Sequence, residues 1–333
     1  MESSSAVRTL DPGGEGGAEA RAWCLIRRLA RHARRPSFDP QRLQWVGFKP
    51  DGDLVPLAAG EPRGSDWAWR PGRGWVPLAA PRDPAVQALL DLYLPLCGPV
   101  PAGVCVVGHL GQSLDGFIAT GCGDSVYVTG PENIRHLHRM RALSDAVLVG
   151  TETAACDDPR LTTRLVPGDN PVRVVLDRQR RLPPGLRVFA DGAAETLLCC
   201  DRNLVDSAEE RQGQARVLGI PCRAGRLDLG ALLETLSGQG LRQLFVEGGG
   251  ALVSAFLAQG LLDRLHLTLA PLVIGTGRPG LRIPAPERLA DAQRPPARLF
   301  RMGADLLYDL DLRAQGLSPV SRDGTLPSLA RVF

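Results

Sequence analysis

From residue 104 onward, short apolar runs alternate with segments of helical period. Residues 104–110, 146–149, 172–177, 196–200, 217–220, 243–247 and 264–270 are β-branched or aliphatic runs bounded by turn residues, which predicts strands. Residues 131–143, 229–237 and 249–259 carry apolar positions at helical spacing and are predicted helices. Pro131 suits a first helical position, with Thr129 or Gly130 as its cap. Residues 150–153 open a further helix, which must end near Pro159. Residues 298–302 and 305–312 read as a closing antiparallel pair. Strand and helix in regular alternation predict an α/β sheet.

The first hundred residues are patterned differently. Residues 1–20 are rich in Ser, Gly, Ala and Glu and are expected to be a disordered tail. Residues 22–32 place Trp23, Ile26 and Leu29 on one helical face and arginines on the other. That basic face is read as a solvated face rather than a nucleic-acid contact. Residues 38–78 hold Trp45, Trp67, Trp69 and Trp75 and are broken by Pro and Gly, with 43–48 and 74–78 as predicted strands. Residues 83–93 read as a helix, with Val86, Leu89, Leu90 and Leu92 apolar. Residues 96–103, with two Pro and two Gly, read as a linker. The expected organisation is a disordered tail (1–20), an N-terminal domain of unassigned fold (21–98), an α/β domain (103–313) and a loose C-terminal tail (314–333).

Composition adds limits. The chain is 44% hydrophobic and 23% charged, as ordinary globular proteins are. A net charge of +3 gives no bulk argument for nucleic acid. Lys49 is the only lysine, so ammonium groups are nearly absent from the available chemistry. The eight cysteines form no C-x-x-C pair, which argues against zinc, and no basic-then-apolar leader precedes them. No apolar run approaches the ~18 residues of a membrane span. A cytoplasmic chain with reduced thiols is the expectation, with no metal, nucleic-acid or membrane partner.

Several residues suggest chemistry. Glu247-Gly248-Gly249-Gly250 lies where a strand meets a helix; glycines there let backbone amides approach a pyrophosphate, or simply make a tight turn. Thr151 and Thr153 bring hydroxyls to a second strand–helix junction. Asp157 and Asp158 lack the further carboxylates or histidines of a metal site and are read as caps or ribose contacts. Arg178, Arg180 and Arg181 follow a strand and suit either a cofactor 2′-phosphate or solvent. Arg141 on its own would be a surface arginine, with Arg135, His138 and Arg139 nearby.

Three segments carry a resemblance: Gly108-His109-Leu110-Gly111-Gln112-Ser113-Leu114-Asp115-Gly116, then residues 150–162, then Phe245-Val246-Glu247-Gly248-Gly249-Gly250. Together they resemble the reductase domain of bacterial riboflavin biosynthesis, the C-terminal domain of the bifunctional deaminase/reductase and a relative of dihydrofolate reductase. The resemblance covers residues 103–312 and implies a dihydrofolate-reductase-like mixed sheet flanked by helices, with a smaller N-terminal domain beside it. It implies NADPH as cofactor, a homodimer, and hydride delivery to ribose C1′ of a phosphoribosylamino-pyrimidine, giving the ribitylamino-pyrimidine phosphate.

The resemblance also assigns roles. Ser125 and Arg141 would hold the substrate phosphate, Leu161 and Arg164 would face the substrate, and Arg141 with Arg164 would form a clamp. Gly111, Thr153, Asp157, Gly248, Gly249 and Gly250 would face the dinucleotide, and Arg178 would take its 2′-phosphate. Tyr127, where the family commonly has Trp, would wall the nicotinamide. Glu247 would contact the reacting ribose. His109 stands where the family usually has Lys; it is shorter, titrates near neutral pH, and either donates a proton in its place or signals a different substrate. The H-x-E and P-C-x-x-C ligands of the usual partner deaminase are absent from residues 1–103, so the chain is not expected to deaminate. The N-terminal domain is then a partner-binding or dimer-supporting module. Two alternatives stand beside the pathway reaction: the same hydride chemistry on another pyrimidine or a pteridine, and a non-catalytic NADPH-binding module.

Overall fold

Helix α1 (Gly17–Ala33) begins the described structure, a computed structural model that covers residues 17–48, 54–57, 67–100, 103–126, 128–207 and 210–313. The expected tails therefore lie outside the described residues, except for residues 17–20. Those four are helical rather than disordered. Alanines at 18, 20 and 22 cost little in a helix, and Glu19 in the first turn pairs with Arg139. Trp23, Ile26 and Leu29 are buried on one face, as their spacing predicts.

An antiparallel sheet follows, built from β1 (Gln44–Phe48), β2 (Leu54–Leu57), β3 (Trp67–Arg70) and β4 (Gly74–Pro77) in the order β2-β1-β3-β4. The pattern of residues 43–48 and 74–78 anticipates β1 and β4; β2, interrupted by Pro56, and β3, buried at three successive positions, show no alternation. Phe38, Trp69 and Trp75 pack edge-on, with centroids 5.3 and 5.6 Å apart along that chain of rings. Their indole nitrogens are satisfied: Trp69 donates to the Pro40 carbonyl at 3.0 Å and Trp75 to the Cys97 carbonyl at 2.9 Å. Large apolar rings with a satisfied N–H are what a small core gains from tryptophan. Helix α2 (Pro84–Tyr93) is capped by Asp83, whose carboxylate accepts from the Ala85 N–H at 2.8 Å.

The alternating region runs β5 (Cys105–Ser113), β6 (Phe117–Thr120), α3 (Pro131–Leu143), β7 (Ala146–Gly150), α4 (Thr151–Asp157), β8 (Val172–Leu176), α5 (Arg187–Ala190) and β9 (Thr196–Asp201). It continues through β10 (Arg211–Gln212), β11 (Ala215–Ile220), the short pair β12 (Cys222–Arg223) and β13 (Arg226–Leu227), then α6 (Leu229–Gly238) and β14 (Gln243–Glu247). Helix α7 (Gly250–Ala258), β15 (Arg264–Ala270), β16 (Gly277–Pro279), β17 (Ala297–Met302) and β18 (Asp305–Asp311) complete it. The expectation of an α/β fold with a mixed sheet flanked by helices is met.

The chain divides into two compact units. One comprises Met1–Cys105 and Ile134–Phe245. Its strands lie in the order β10-β11-β9-β8-β7-β14, with β11, β9, β8 and β7 parallel. The side chains of β7, β8 and β9 are almost all buried, which is why these strands read as continuous apolar runs. The N-terminal region is tied to the rest of this unit by polar contacts: Arg34 to Asp145 at 3.0 Å, the Tyr93 hydroxyl to His136 Nδ1 at 2.7 Å, and Gln243 Nε2 to the Leu96 carbonyl at 3.1 Å.

The second unit comprises Val106–Asn133 and Val246–Phe333, with strand order β5-β15-β18-β17. β5 and β15 are parallel; β18 and β17 add antiparallel. Register places His109 beside His266, His266 beside Asp309, and Asp309 beside Arg298. Paired positions share a face of the sheet, so a polar row crosses all four strands of the unit. Arg264 grips Asp309 with two nitrogens at 2.8–2.9 Å, Arg298 Nε reaches it at 3.1 Å, and His266 Nε2 lies 3.4 Å away. Asp309 and His266 are fully buried.

Candidate active site

Helix α3 sets one group of candidate residues. His138 and Arg141 are three residues apart and so share a helical face. Both are buried. That face meets residues 161–164. Arg141 Nη1 donates to the Thr162 carbonyl at 3.0 Å, and Arg164 Nη1 donates to the Thr162 hydroxyl at 2.5 Å. The Arg164 backbone N–H donates to His138 Nδ1 at 2.8 Å. Leu161 is buried, with φ at 53°, a left-handed conformation uncommon for a side chain that bulky. The strained turn brings both arginines to one residue, Thr162. His138 lies in their field: burial, then Arg141 and Arg164, push its pKa down to about 4. A neutral ring accepting at Nδ1 carries its proton on Nε2. His138 and Thr162 were not assigned by sequence, although the three-residue spacing from Arg141 is a legible signal for the former.

Thr153 and Asp157 lie four residues apart on α4, Thr153 half-buried and Asp157 exposed. Asp158 ends the helix in the left-handed region and pairs with Arg187 at 3.0 Å, a structural cap rather than a ligand group. At the end of β8, Arg180 is engaged by Glu210 and the Leu204 carbonyl. Arg178 is half-buried near the Asp201 carboxylate, one of the groups holding that acid below its usual range.

In the other unit, His109 and Gly111 lie on β5. His109 Nε2 is 3.0 Å from Asn133 Oδ1 and 3.3 Å from the Thr268 hydroxyl, which itself donates to Asn133 Oδ1 at 2.9 Å. The Asn133 amide donates to Thr129 at 2.9 Å, so Thr129 is spent on a side chain instead of capping α3. A Cβ on Gly111 would stand 2.7 Å from the Thr129 methyl, so this network packs directly against β5. Burial, and secondarily His266, push the His109 pKa down to about 3 against the opposing Asn133 hydrogen bond. His109 is thus a neutral imidazole at physiological pH, unlike the fixed cation it replaces.

That has a measurable consequence. His109 has a depressed pKa in the folded state and about 6.5 when unfolded. Between those values the unfolded chain binds more protons, so stability falls as pH falls, by about 1.4 kcal/mol per unit for one such residue. His109→Gln is expected to flatten the decline in melting temperature between pH 6.5 and 4.5. An unchanged slope would show that His109 is not buried as a neutral ring.

Ser125 lies exposed in the loop after β6, and Tyr127 lies outside the described residues. Glu247 ends β14, half-buried. Gly249 is the N-cap of α7 and, as glycine, offers no side-chain cap of its own. A helix N-terminus is a place where an anion is favoured. Gly250 has a different reason to be glycine. A Cβ there would lie 1.9 Å from the Gly280 carbonyl oxygen and 2.8 Å from that of Pro279. Packing thus requires glycine at 250 and bears on 248, where a Cβ would stand 3.0 Å from Leu252 Cδ2, while Gly249 is the N-cap itself.

Comparison with known proteins supplies the family. The sequence model of the RibD C-terminal domain matches residues 105–290. A 2,5-diamino-6-ribosylamino-4(3H)-pyrimidinone 5′-phosphate reductase of Methanothermobacter thermautotrophicus is 37% identical over 215 residues, covering 62% of this chain and 98% of that protein. The riboflavin biosynthesis protein RibD of Escherichia coli is 37% identical over 197 residues, covering 55% of this chain and 53% of that one, so the match spans about half of that relative. Among solved structures, the Thermotoga maritima diaminohydroxyphosphoribosylaminopyrimidine deaminase/5-amino-6-(5-phosphoribosylamino)uracil reductase aligns with a TM-score of 0.54 at 25% identity, over 68% of this chain and 60% of that one. Acinetobacter baumannii RibD shares the fold at a TM-score of 0.58 and 20% identity, over 89% of this chain and 99% of that one. The chain belongs to the RibD C-terminal domain family, the dihydrofolate-reductase-like reductases of riboflavin biosynthesis.

Proposed function

We propose that the protein reduces a phosphoribosylamino-pyrimidine to the ribitylamino-pyrimidine phosphate, using NADPH. The observation that carries the reading is the arginine pair converging on Thr162, within the segment that matches the family. Arg141 and Arg164 hold the substrate phosphate, with the Ser125 hydroxyl as a further ligand and Leu161 against the substrate. The neutral His138 keeps a third positive charge out of the cluster while fixing the Arg164 backbone.

The cofactor's part is to supply a hydride, which the ribose C1′ of the ring-opened imine accepts. The N-terminus of α7 would receive its pyrophosphate, with no side chain at Gly248 or Gly249 to hinder approach. Thr153, Asp157 and Gly111 would contact the dinucleotide, and Arg178 would take the 2′-phosphate. Glu247 orients the ribose and manages the proton that the nitrogen gains on reduction. His109 serves as a neutral N–H donor that organises Asn133 and Thr268, not as a cation. A homodimer and a cytoplasmic setting belong to the same proposal. Among the described residues no helix is long and apolar enough to cross a membrane.

The test is NADPH oxidation by the purified protein, with product mass checked. Two substrates are compared: the 2,5-diaminopyrimidinone ribosylamine phosphate and its 5-aminouracil counterpart. Turnover of either is expected, and Glu247→Gln should lower kcat by about 100-fold or more while leaving the KM for NADPH unchanged. NADPH binding without turnover of either compound would favour a non-catalytic module or another pyrimidine or pteridine.

A further inference from the structure

The tryptophan-rich N-terminal region has no part in the chemistry above, yet it reaches the segment that carries Arg164. Residues 161–170 form a loop pinned at several points. Arg141 holds the Thr162 carbonyl, and His138 accepts from the Arg164 N–H. Within the loop, the Thr163 N–H donates to Asn170 Oδ1 at 2.8 Å and its hydroxyl to the Asp169 carbonyl at 3.0 Å. Gly168 lies so close to α3 that a Cβ there would stand 2.4 Å from the Ala142 Cβ.

Asn170 Nδ2 donates to the Ala193 carbonyl at 3.0 Å, and a further pin comes from α1. The indole N–H of Trp23 donates to the Pro167 carbonyl at 2.8 Å across 144 residues of sequence. Trp23 is itself fixed: it is 3% exposed, packs edge-on to Tyr93 at 5.5 Å, and lies under the Arg139 guanidinium at 5.6 Å. Tyr93 and Arg139 lead to α3, through the hydroxyl on His136 and through Arg139 itself, which Glu19 of α1 engages. The N-terminal region therefore grips the two elements, α3 and residues 161–170, that bring the arginines together. The Arg31–Asp169 pair at 3.7 Å joins exposed groups and adds little.

We propose that α1 and α2 act as an internal brace for the substrate-phosphate segment, with Trp23 as its positioning residue. The proposal rests on the reading of Arg141 and Arg164 as phosphate ligands. Pro167 is three residues from Arg164, a reach of about 10 Å at most, so loss of its anchor is felt at the guanidinium. This gives the region a role that needs no deaminase ligands.

The experiment compares Trp23→Phe with Trp69→Phe in the full chain. Each keeps an aromatic ring and deletes one indole hydrogen bond to a proline carbonyl, but only Trp23 touches the loop. Trp23→Phe is expected to raise the KM for the phosphorylated pyrimidine about fivefold, the value of one such bond. The kcat and the KM for NADPH should hold, and amide exchange in residues 161–170 should quicken. Trp69→Phe should move none of these. Unchanged exchange across 161–170 in Trp23→Phe, or an equal KM rise in Trp69→Phe, overturns the brace. If Trp23→Phe fails to fold, Tyr93→Phe carries the test through faster exchange at the His136 end of α3, and its absence counts against the proposal. If Arg141→Ala leaves the substrate KM unchanged, the phosphate reading has failed instead, and the exchange result still decides the brace.

Discussion

Arg141→Ala is expected to reduce kcat/KM for the phosphorylated pyrimidine by about 100-fold or more, with NADPH binding intact. Arg141 as a residue is 6% exposed, and the Thr162 carbonyl fixes its guanidinium before any ligand arrives. A donor fork already ordered and largely desolvated gives more to a phosphate than a mobile surface arginine does. Removing it leaves the bound phosphate short of a charged partner in a poorly solvated place, a loss of about 2–4 kcal/mol. Arg141→Lys keeps the charge but not the fork, and should fall between the two. Steady-state kinetics with both variants, beside NADPH titration, measures the effect. A fall of less than about tenfold in the alanine variant would remove Arg141 from the site.

The second large effect concerns stability. Asp309→Asn is expected to destabilise the fold by about 3–5 kcal/mol, lowering the melting temperature on the order of 10 °C. Asn conserves the volume, so the loss is electrostatic. Arg264 at 6% side-chain exposure would keep its charge beside an amide, and Arg298 and His266 would lose their common acceptor. Burial alone would raise the Asp309 pKa; His266, Arg264 and Arg298 outweigh it and hold the carboxyl well below its usual range. A carboxyl depressed in the folded state contributes stability that is present above its unfolded pKa, about 4, and is lost as pH falls below that. The wild type should therefore weaken steeply below pH 4, and the Asn variant should lack that acid limb. Equal acid limbs in chemical denaturation would show that the cluster is solvated.

The strand–helix alternation was legible because parallel strands buried on both faces are uninterrupted apolar runs. Helix α3 could be placed at Pro131–Leu143 for a related reason: proline at its start and helical spacing after it are local signals. The glycine motif at 248–250 was equally visible, but its meaning was not. Gly250 answers to a carbonyl at residue 280, and no local pattern carries a contact thirty residues away. The start of α1 was misplaced because a Gly/Ala/Ser/Glu stretch looks unstructured until Arg139 gives Glu19 a partner.

The chain's residues by themselves determined the α/β class, the strand–helix junctions and which arginines, glycines and carboxylate were candidates, since period, capping and motif spacing are short-range properties. Tertiary structure decided their states. His109 became a neutral ring because burial removes water from around it and, secondarily, because β15 sets His266 beside it. Arg141 and Arg164 became a pair because a left-handed turn at Leu161 carries Thr162 between them. Charge, tautomer and convergence depend on neighbours brought together from distant positions, and only the folded chain assembles those.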